Sequence, residues 1–331
     1  MDIDAFIAVR QDDWQKLVAL TKQHSLTGAE ADELVRLYQA TATDLSTVRS
    51  ATPDPQTVSY LSNILSRARA RIGGTSEARL SDLRRFLFAV VPLAFYRIRW
   101  WIVAVSAACI ALGLVSGIWL ASDPARLSVV GTESQLRMYA DQAFAAYYTD
   151  YPAPSFAAQV WTNNAWIAVQ CIAFGISGVW PIYVLAQNMV NVGMAGAIMY
   201  THDGLDVFLS LILPHGMLEL TAIFVAGAAG LRLFWTMLAP GPKTRSVALA
   251  EQGQSVFAVA IGLVGVLALS GLIEGFVTGS WLPSWLQLTI GALALAAFWA
   301  YVWVVGAAAE KNGHTTTLRR QHATTYLETV G

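Results

Sequence analysis

Charge is what this chain has least of. Only 13% of its 331 residues are Asp, Glu, Lys or Arg, against 55% hydrophobic, and mean hydropathy is positive. The shortage is uneven: no charged residue occurs from Tyr151 to Thr201, from Gln252 to Ile273, or from Gly275 to Ala309. A buried core helix needs no run of that length, whereas a transmembrane helix needs about 20 mainly apolar residues. The pattern predicts an all-α, polytopic helical membrane protein. Cysteine is scarce as well, and both copies, Cys109 and Cys171, fall in apolar segments, so neither a disulfide framework nor a cysteine metal site is expected. The first 20 residues, MDIDAFIAVRQDDWQKLVAL, lack an uninterrupted apolar core, and no cleavable signal peptide is expected there.

What is present begins with an N-terminal helical region over residues 1–98. Thr27 and Glu30 form a T-x-x-E capping box ahead of Leu34, Leu37, Tyr38, Leu45 and Val48 at helical spacing. A further helix starts after Asp54-Pro55, carries Val58, Leu61, Leu65, Ala68 and Ile72 on one face, and stops at Gly73-Gly74. Phe6, Trp14, Leu17 and Val18 suggest an earlier one, making a small bundle. Eight arginines between residues 60 and 99 (Arg67, Arg69, Arg71, Arg79, Arg84, Arg85, Arg97 and Arg99) face only Glu77 and Asp82. Basic residues beside a first apolar span mark the cytoplasmic side and attract anionic headgroups, a role assigned to Arg84, Arg85, Arg97 and Arg99. No recognition motif accompanies the patch, so nucleic acid is not an expected partner.

Six spans follow at roughly 100–121, 162–186, 188–213, 216–238, 255–278 and 285–309, in a transmembrane domain over 99–309 with a cytoplasmic tail over 310–331. The loop 122–159 holds two basic and four acidic residues, and its SQLRMYADQAFAAYY reads as an interfacial amphipathic helix outside the cell. Lys243 and Arg245, and Lys311, Arg319 and Arg320, place the 239–254 loop and the tail in the cytoplasm. The third span is broken by THDGLD, with His202, Asp203 and Asp206 following Asn188 and Asn191. Non-helical polar backbone at membrane depth needs protein or a water-filled cavity around it. A re-entrant pair of half-helices, giving five crossings, is the alternative, and broken helices are where transporters bind substrate.

Glu219 and Glu274 are the carboxylates that a bilayer makes expensive, at about 3 kcal/mol each on insertion scales. With the fourth span starting near 216 and the fifth ending near 278, both lie within roughly 6 Å of the same membrane face. His215, one turn before Glu219, shares that level if its helix begins at Pro214, and Asn163 and Asn164 join it in the six-crossing arrangement. Such a layer either ties helices together through hydrogen bonds, lines a pathway or ligand site, or carries catalysis. Arg232, about 20 Å further along the helix than Glu219, reads as a snorkelling headgroup contact.

Enzyme signatures are weak. Gly175-Ile176-Ser177-Gly178 matches the G-x-S-G of rhomboid intramembrane proteases, with His215 as the base, but only one span precedes the serine and no upstream histidine serves an oxyanion. His215 and Glu219 lack the H-E-x-x-H spacing and a third ligand, so no metal is expected. The spacings Gly113/Gly117, Gly271/Gly275, Gly275/Gly279 and Ala226 to Gly230 predict close helix contacts, within one chain or across a homodimer.

LPHGMLELTAIFVAGAAGL, residues 213–231, resembles the signature segment of the stage II sporulation protein M family of bacterial membrane proteins. TNNAWIAV, GLIEGF around Glu274, and MDIDAFIAV with LYQATATDLSTVRS resemble its actinobacterial branch. Residues 201–206 are more acidic than that family leads one to expect. The resemblance implies a membrane scaffold that, in spore formers, holds peptidoglycan hydrolases at the division septum without chemistry of its own. The expectation is a multi-pass protein of the bacterial cytoplasmic membrane with its N-terminus inside, no catalytic residues and no cofactor, acting as a scaffold or subunit in envelope assembly. Membrane lipid, an envelope protein and a second copy are the expected partners. The alternative is a transporter- or permease-like subunit using the glutamate pair for a proton, a cation or a lipid headgroup; lacking any G-x-x-x-x-G-K-[ST] run, it would borrow its energy source.

Overall fold

A computed structural model describes residues 3–23, 26–51, 54–72, 80–149, 153–278 and 280–316, and every regular element among them is helical. The Gly73-Gly74 stop, Glu77, Arg79, Gly279, and Arg319 and Arg320 of the tail lie outside the described residues. The chain divides into two compact units, Met1–Leu83 and Arg84–Gly331.

In the first unit α1 (Ile3–Lys22), α2 (Gly28–Ala51) and α3 (Pro55–Ile72) pack around Trp14, Leu17, Leu37, Val48 and Leu61. The capping box closes as a reciprocal pair: the Thr27 N–H donates to Glu30 Oε2 at 2.8 Å and the Glu30 N–H to Thr27 Oγ1 at 3.3 Å. Asp54 caps α3 by accepting from the Thr57 N–H at 2.8 Å, with Pro55 in the first helical position. Of the expected face of α3, Leu61 and Ala68 are buried, together with Thr57 and Ile64, while Val58 and Leu65 flank them half-buried and Ile72 is exposed. Asp44, though acidic, is buried because the Trp14 indole N–H (2.9 Å) and Arg10 (3.4 Å) both reach its carboxylate.

The unit boundary falls within α4 (Leu80–Arg85), and the second unit continues through a π-turn, Phe86–Val90, into α5 (Val91–Arg97) and then α6 (Arg99–Ala121). Residues 86–97 thus pack with this unit, Val91 and Phe95 meeting Gly262 and Pro92 meeting Gly306. Next come α7 (Pro124–Leu127), α8 (Glu133–Met138), a π-turn at Tyr139–Ala143 and α9 (Phe144–Thr149). The long helices are α10 (Ala153–Ala173), α11 (Val179–Thr201), α12 (Leu205–Leu238), α13 (Arg245–Phe276) and α14 (Ser284–Ala300), the last continuing through a π-turn into α15 (Gly306–Lys311). Among the described residues, five helices are long and apolar enough to cross a membrane: Arg99–Ala121, Val179–Thr201, Leu205–Leu238, Arg245–Phe276 and Ser284–Lys311. The protein is an all-α, polytopic membrane protein. α10, diluted by Gln159, Asn163, Asn164 and Gln170, packs along α12 and α13 as the sixth long helix of the bundle.

Two reversals change the expected boundaries. Residues 162–213 are not one span followed by a broken one, and no re-entrant pair forms: the chain turns at 174–178 and again at 202–204, so 188–201 complete α11 and 205–213 open α12. Hydropathy alone runs through the first turn, which needs only the left-handed Gly178 (φ 69°), and mistakes the second, with Asp203 at φ 59°, for a break inside a helix. α10 and α12 consequently run parallel, as the pairs Asn164/Glu219 and Cys171/Gly230 show, and α13 runs against both.

α12 is the hub. Every residue from Thr221 to Gly230 is buried, as expected of a helix that is apolar all round. Its small residues let neighbours touch backbone: a Cβ at Gly230 would lie 2.1 Å from the Cys171 carbonyl oxygen, and one at Gly291 of α14 2.1 Å from that of Pro214. Gly113 and Gly117 of α6 serve α11 in the same way, so this pair acts within the chain. The stretch expected as an interfacial helix packs on the same bundle. Leu136, Ala140 and Phe144 are buried against Leu120, Ala197, Met199 and Phe208, because their apolar side is covered by helix ends.

Candidate functional site

Pro214 sits inside α12 instead of opening it, which puts Glu219 fourteen residues, about 21 Å, into the helix. The matched height of the acids therefore does not come from nearness to helix ends. It comes from α13 ending beside the middle of α12. Four-residue spacing sets the rest: His215 and Glu219 share one face of α12, while Ser270, Glu274 and Thr278 succeed one another along α13 and its terminal turn.

The cluster is closely knit. Asn164 Nδ2 donates to Glu219 Oε1 at 2.5 Å, and the Ser270 hydroxyl lies 3.4 Å from Glu219 Oε2 and 3.1 Å from the His215 carbonyl oxygen. His215 Nδ1 meets Thr278 Oγ1 at 3.1 Å, leaving Nε2 3.7 Å from Glu274 Oε1, outside hydrogen-bond range. One donor atom from each of His215, Glu219 and Glu274 can be chosen so that all lie within 4.8 Å of one another. His215 is 5% exposed and Glu274 3%, yet Glu274 Oε2 has no hydrogen-bond partner among the described residues. A cavity of about 190 Å³ opens beside them, walled by Asn164, Asn188, Val192, Ile212, Gly216 and Ile223.

The other expected residues divide. Asn163 is exposed at the rim of the cavity, and Asn188 on its α11 wall donates to the Val184 carbonyl at 3.4 Å. Asn191 is exposed and accepts from Gln187. His202 and Asp203 belong to the α11–α12 turn and Asp206 to the first turn of α12; His202 Nδ1 lies 2.8 Å from the Ile198 carbonyl and its Nε2 3.5 Å from Glu133. Of the basic group, Arg84 and Arg85 are exposed, Arg97 pairs with Glu310 at 3.7 Å, and Arg99 lies 3.8 Å over the Tyr96 ring. The rhomboid reading fails on geometry. The Ser177 hydroxyl donates to the Phe174 carbonyl and accepts from the Trp180 N–H, capping α11. Its neighbour Gly175 abuts Gly230, about 22 Å along α12 from His215. Ser270 and Thr278 are members of the cluster that the sequence analysis does not include; their one sequence signal is a spacing of four residues on either side of Glu274.

Residues 106–279 match the family model for stage II sporulation protein M. The chain belongs to that family. The matched region runs from α6 to the turn after α13 and contains every member of the cluster, whereas α14, whose Gly291 closes on Pro214, lies beyond it. A second model, for a domain of unknown function (DUF8413), matches residues 4–74, which include almost all of α1–α3. No curated protein and no solved structure matches the chain. The stage II sporulation protein M family is not a known enzyme family.

Proposed function

We propose that this protein is a non-enzymatic, permease-like subunit of the bacterial cytoplasmic membrane whose helical bundle is built around an intramembrane site for a small cation or a cationic headgroup. One observation carries the reading: Glu274 Oε2 is buried beside an open polar cavity without a partner among the described residues. Residues that merely tie helices together gain by satisfying one another, and a buried acid left half-satisfied in hydrocarbon costs about 3 kcal/mol that packing does not return. Orientation follows from the charges, since Arg84, Arg85, Lys243 and Lys311 favour a cytoplasmic location for their loops and helix ends. The test is Glu219→Gln expressed in a deletion strain. Loss of complementation with an unchanged melting temperature supports a site, whereas retained complementation with a lowered melting temperature makes the cluster structural and ends this reading.

A scaffold role in envelope assembly is the second reading. It is favoured by the separate core of α1–α3, which the transmembrane unit does not need for its own packing. Such modules hold partners while membrane helices anchor them. Co-purification of envelope proteins with the full chain and with residues 1–83 deleted distinguishes the two, since unchanged co-purification removes that unit from the account.

A further inference from the structure

We infer that His215, Glu219 and Glu274 form a binding site for one divalent transition-metal cation. The inference rests on the ligand-site reading above and names the ligand. Charge argues for it first. Two carboxyls facing each other inside a bundle carry two negative charges when ionised, which neither Asn164 nor Ser270 neutralises, and a divalent ion brings the ionised set to neutrality. The donors argue for its class. One imidazole nitrogen with two carboxylate oxygens suits zinc, manganese or iron, whereas magnesium favours oxygen ligands and retains several waters.

The geometry needs little adjustment. Donors around a single zinc ion stand about 3.3 to 4.2 Å apart. Here the three donor atoms lie within 4.8 Å of one another, and the His215 Nε2–Glu274 Oε1 pair at 3.7 Å is already in range. The surroundings fit a metal site as well. Thr278 engages His215 Nδ1 and so points Nε2 at Glu274, the usual outer-shell arrangement of a ligating histidine. Ser270 orients Glu219 in the same way. Glu274 Oε2, buried and unpartnered among the described residues, borders the cavity, whose volume of about 190 Å³ leaves room for water in the remaining coordination positions. The sequence hid the site because the third ligand lies 55 residues beyond Glu219 on another helix.

The experiment uses the full chain purified in detergent, stripped with chelator, and titrated with Zn2+ or Mn2+ as chlorides, with Mg2+ for comparison. Bound metal is counted by elemental analysis and affinity measured by calorimetry. One Zn2+ or Mn2+ per chain is expected, with Mg2+ binding far more weakly. Glu274→Gln and His215→Gln should each weaken binding by about 100-fold, and Thr278→Val, which touches no ion, by about 10-fold. Asn191→Ala, outside the cluster, should bind like the native chain. Absence of stoichiometric metal on a monodisperse helical sample overturns the inference, as does undiminished binding by Glu274→Gln, which would mark the ion as adventitious. Should the chain hold no metal while Glu219→Gln still abolishes complementation at unchanged melting temperature, the metal is refuted and the ligand-site reading stands.

Discussion

Gly230→Ala tests the packing on which the cluster depends. The added methyl would sit 2.1 Å from the Cys171 carbonyl oxygen, where carbon and carbonyl oxygen ordinarily approach no closer than about 3.3 Å. The shortfall of roughly 1.2 Å cannot be absorbed by a side chain, because the obstacle is backbone, so α10 must move away from α12. Overpacking of this kind costs about 1 to 3 kcal/mol, and the rigid neighbour puts Gly230 at the upper end. At about 2 to 4 °C per kcal/mol for a unit of this size, the melting temperature should fall by about 6 to 12 °C. The same movement stretches the hydrogen bond from Asn164, two turns earlier on α10, to Glu219, so complementation should fall with it. Circular dichroism of the purified chain supplies the melting curve. Gly265→Ala supplies a control of opposite sign: nothing lies within 4 Å of its Cβ position, and the gain in helix propensity is about 0.5 to 1 kcal/mol. A Gly230→Ala variant melting within 1 °C or so of the native chain would refute the backbone contact and the α10–α12 geometry drawn from it.

Gly291→Ala should behave like Gly230→Ala, because its Cβ would meet the Pro214 carbonyl at 2.1 Å, and should also disturb the adjacent His215; melting temperature and metal content read both effects. Asp44→Ala strands the Trp14 N–H in the core of the first unit and should destabilise it by about 1 to 3 kcal/mol, seen as faster amide exchange across α1–α3. Acid should loosen the same helices. Hydrogen bonds from Arg36 and Lys16 hold the exposed Glu33 carboxyl down from its usual 4.5 to about 2. Because that value is lower in the folded chain than in the unfolded one, its contribution is complete above about pH 4.5 and disappears as the pH falls towards 2. Exchange rates in α1–α3 should rise across that window, and less so in Glu33→Gln. Ser177→Ala should remove the cap of α11 at a cost of about 1 kcal/mol while leaving complementation intact; loss of complementation at unchanged stability would revive a serine nucleophile.

Local rules carried much of the fold. The capping box at Thr27, the Asp54-Pro55 start and the apolar stripe of α2 all form because they depend on neighbours within a few residues. Where apolar residues ran on without interruption, the same rules faltered. A turn between two membrane helices can be built on a left-handed glycine with few polar groups, so 174–178 leaves no break in the apolar run, while the polar 201–206 has the composition of a site and forms a turn. The amphipathicity of SQLRMYADQAFAAYY shows in the burial of Leu136, Ala140 and Phe144 against helix ends, but amphipathicity alone does not say how lipid and protein share its apolar side.

From its sequence alone the chain was a multi-pass helical membrane protein, because the distribution of charge leaves its long apolar segments no other solvent. Sequence also singled out Glu219, Glu274, His215 and Asn164, since ionisable and amide groups in apolar helices are rare enough to stand out one by one. Only the tertiary structure decided that these groups meet. Helices 50 residues apart in the chain are set to a common height by where each begins and ends and by which glycines let them touch. Those distances come from packing across the bundle, and no periodicity along one strand of sequence encodes them.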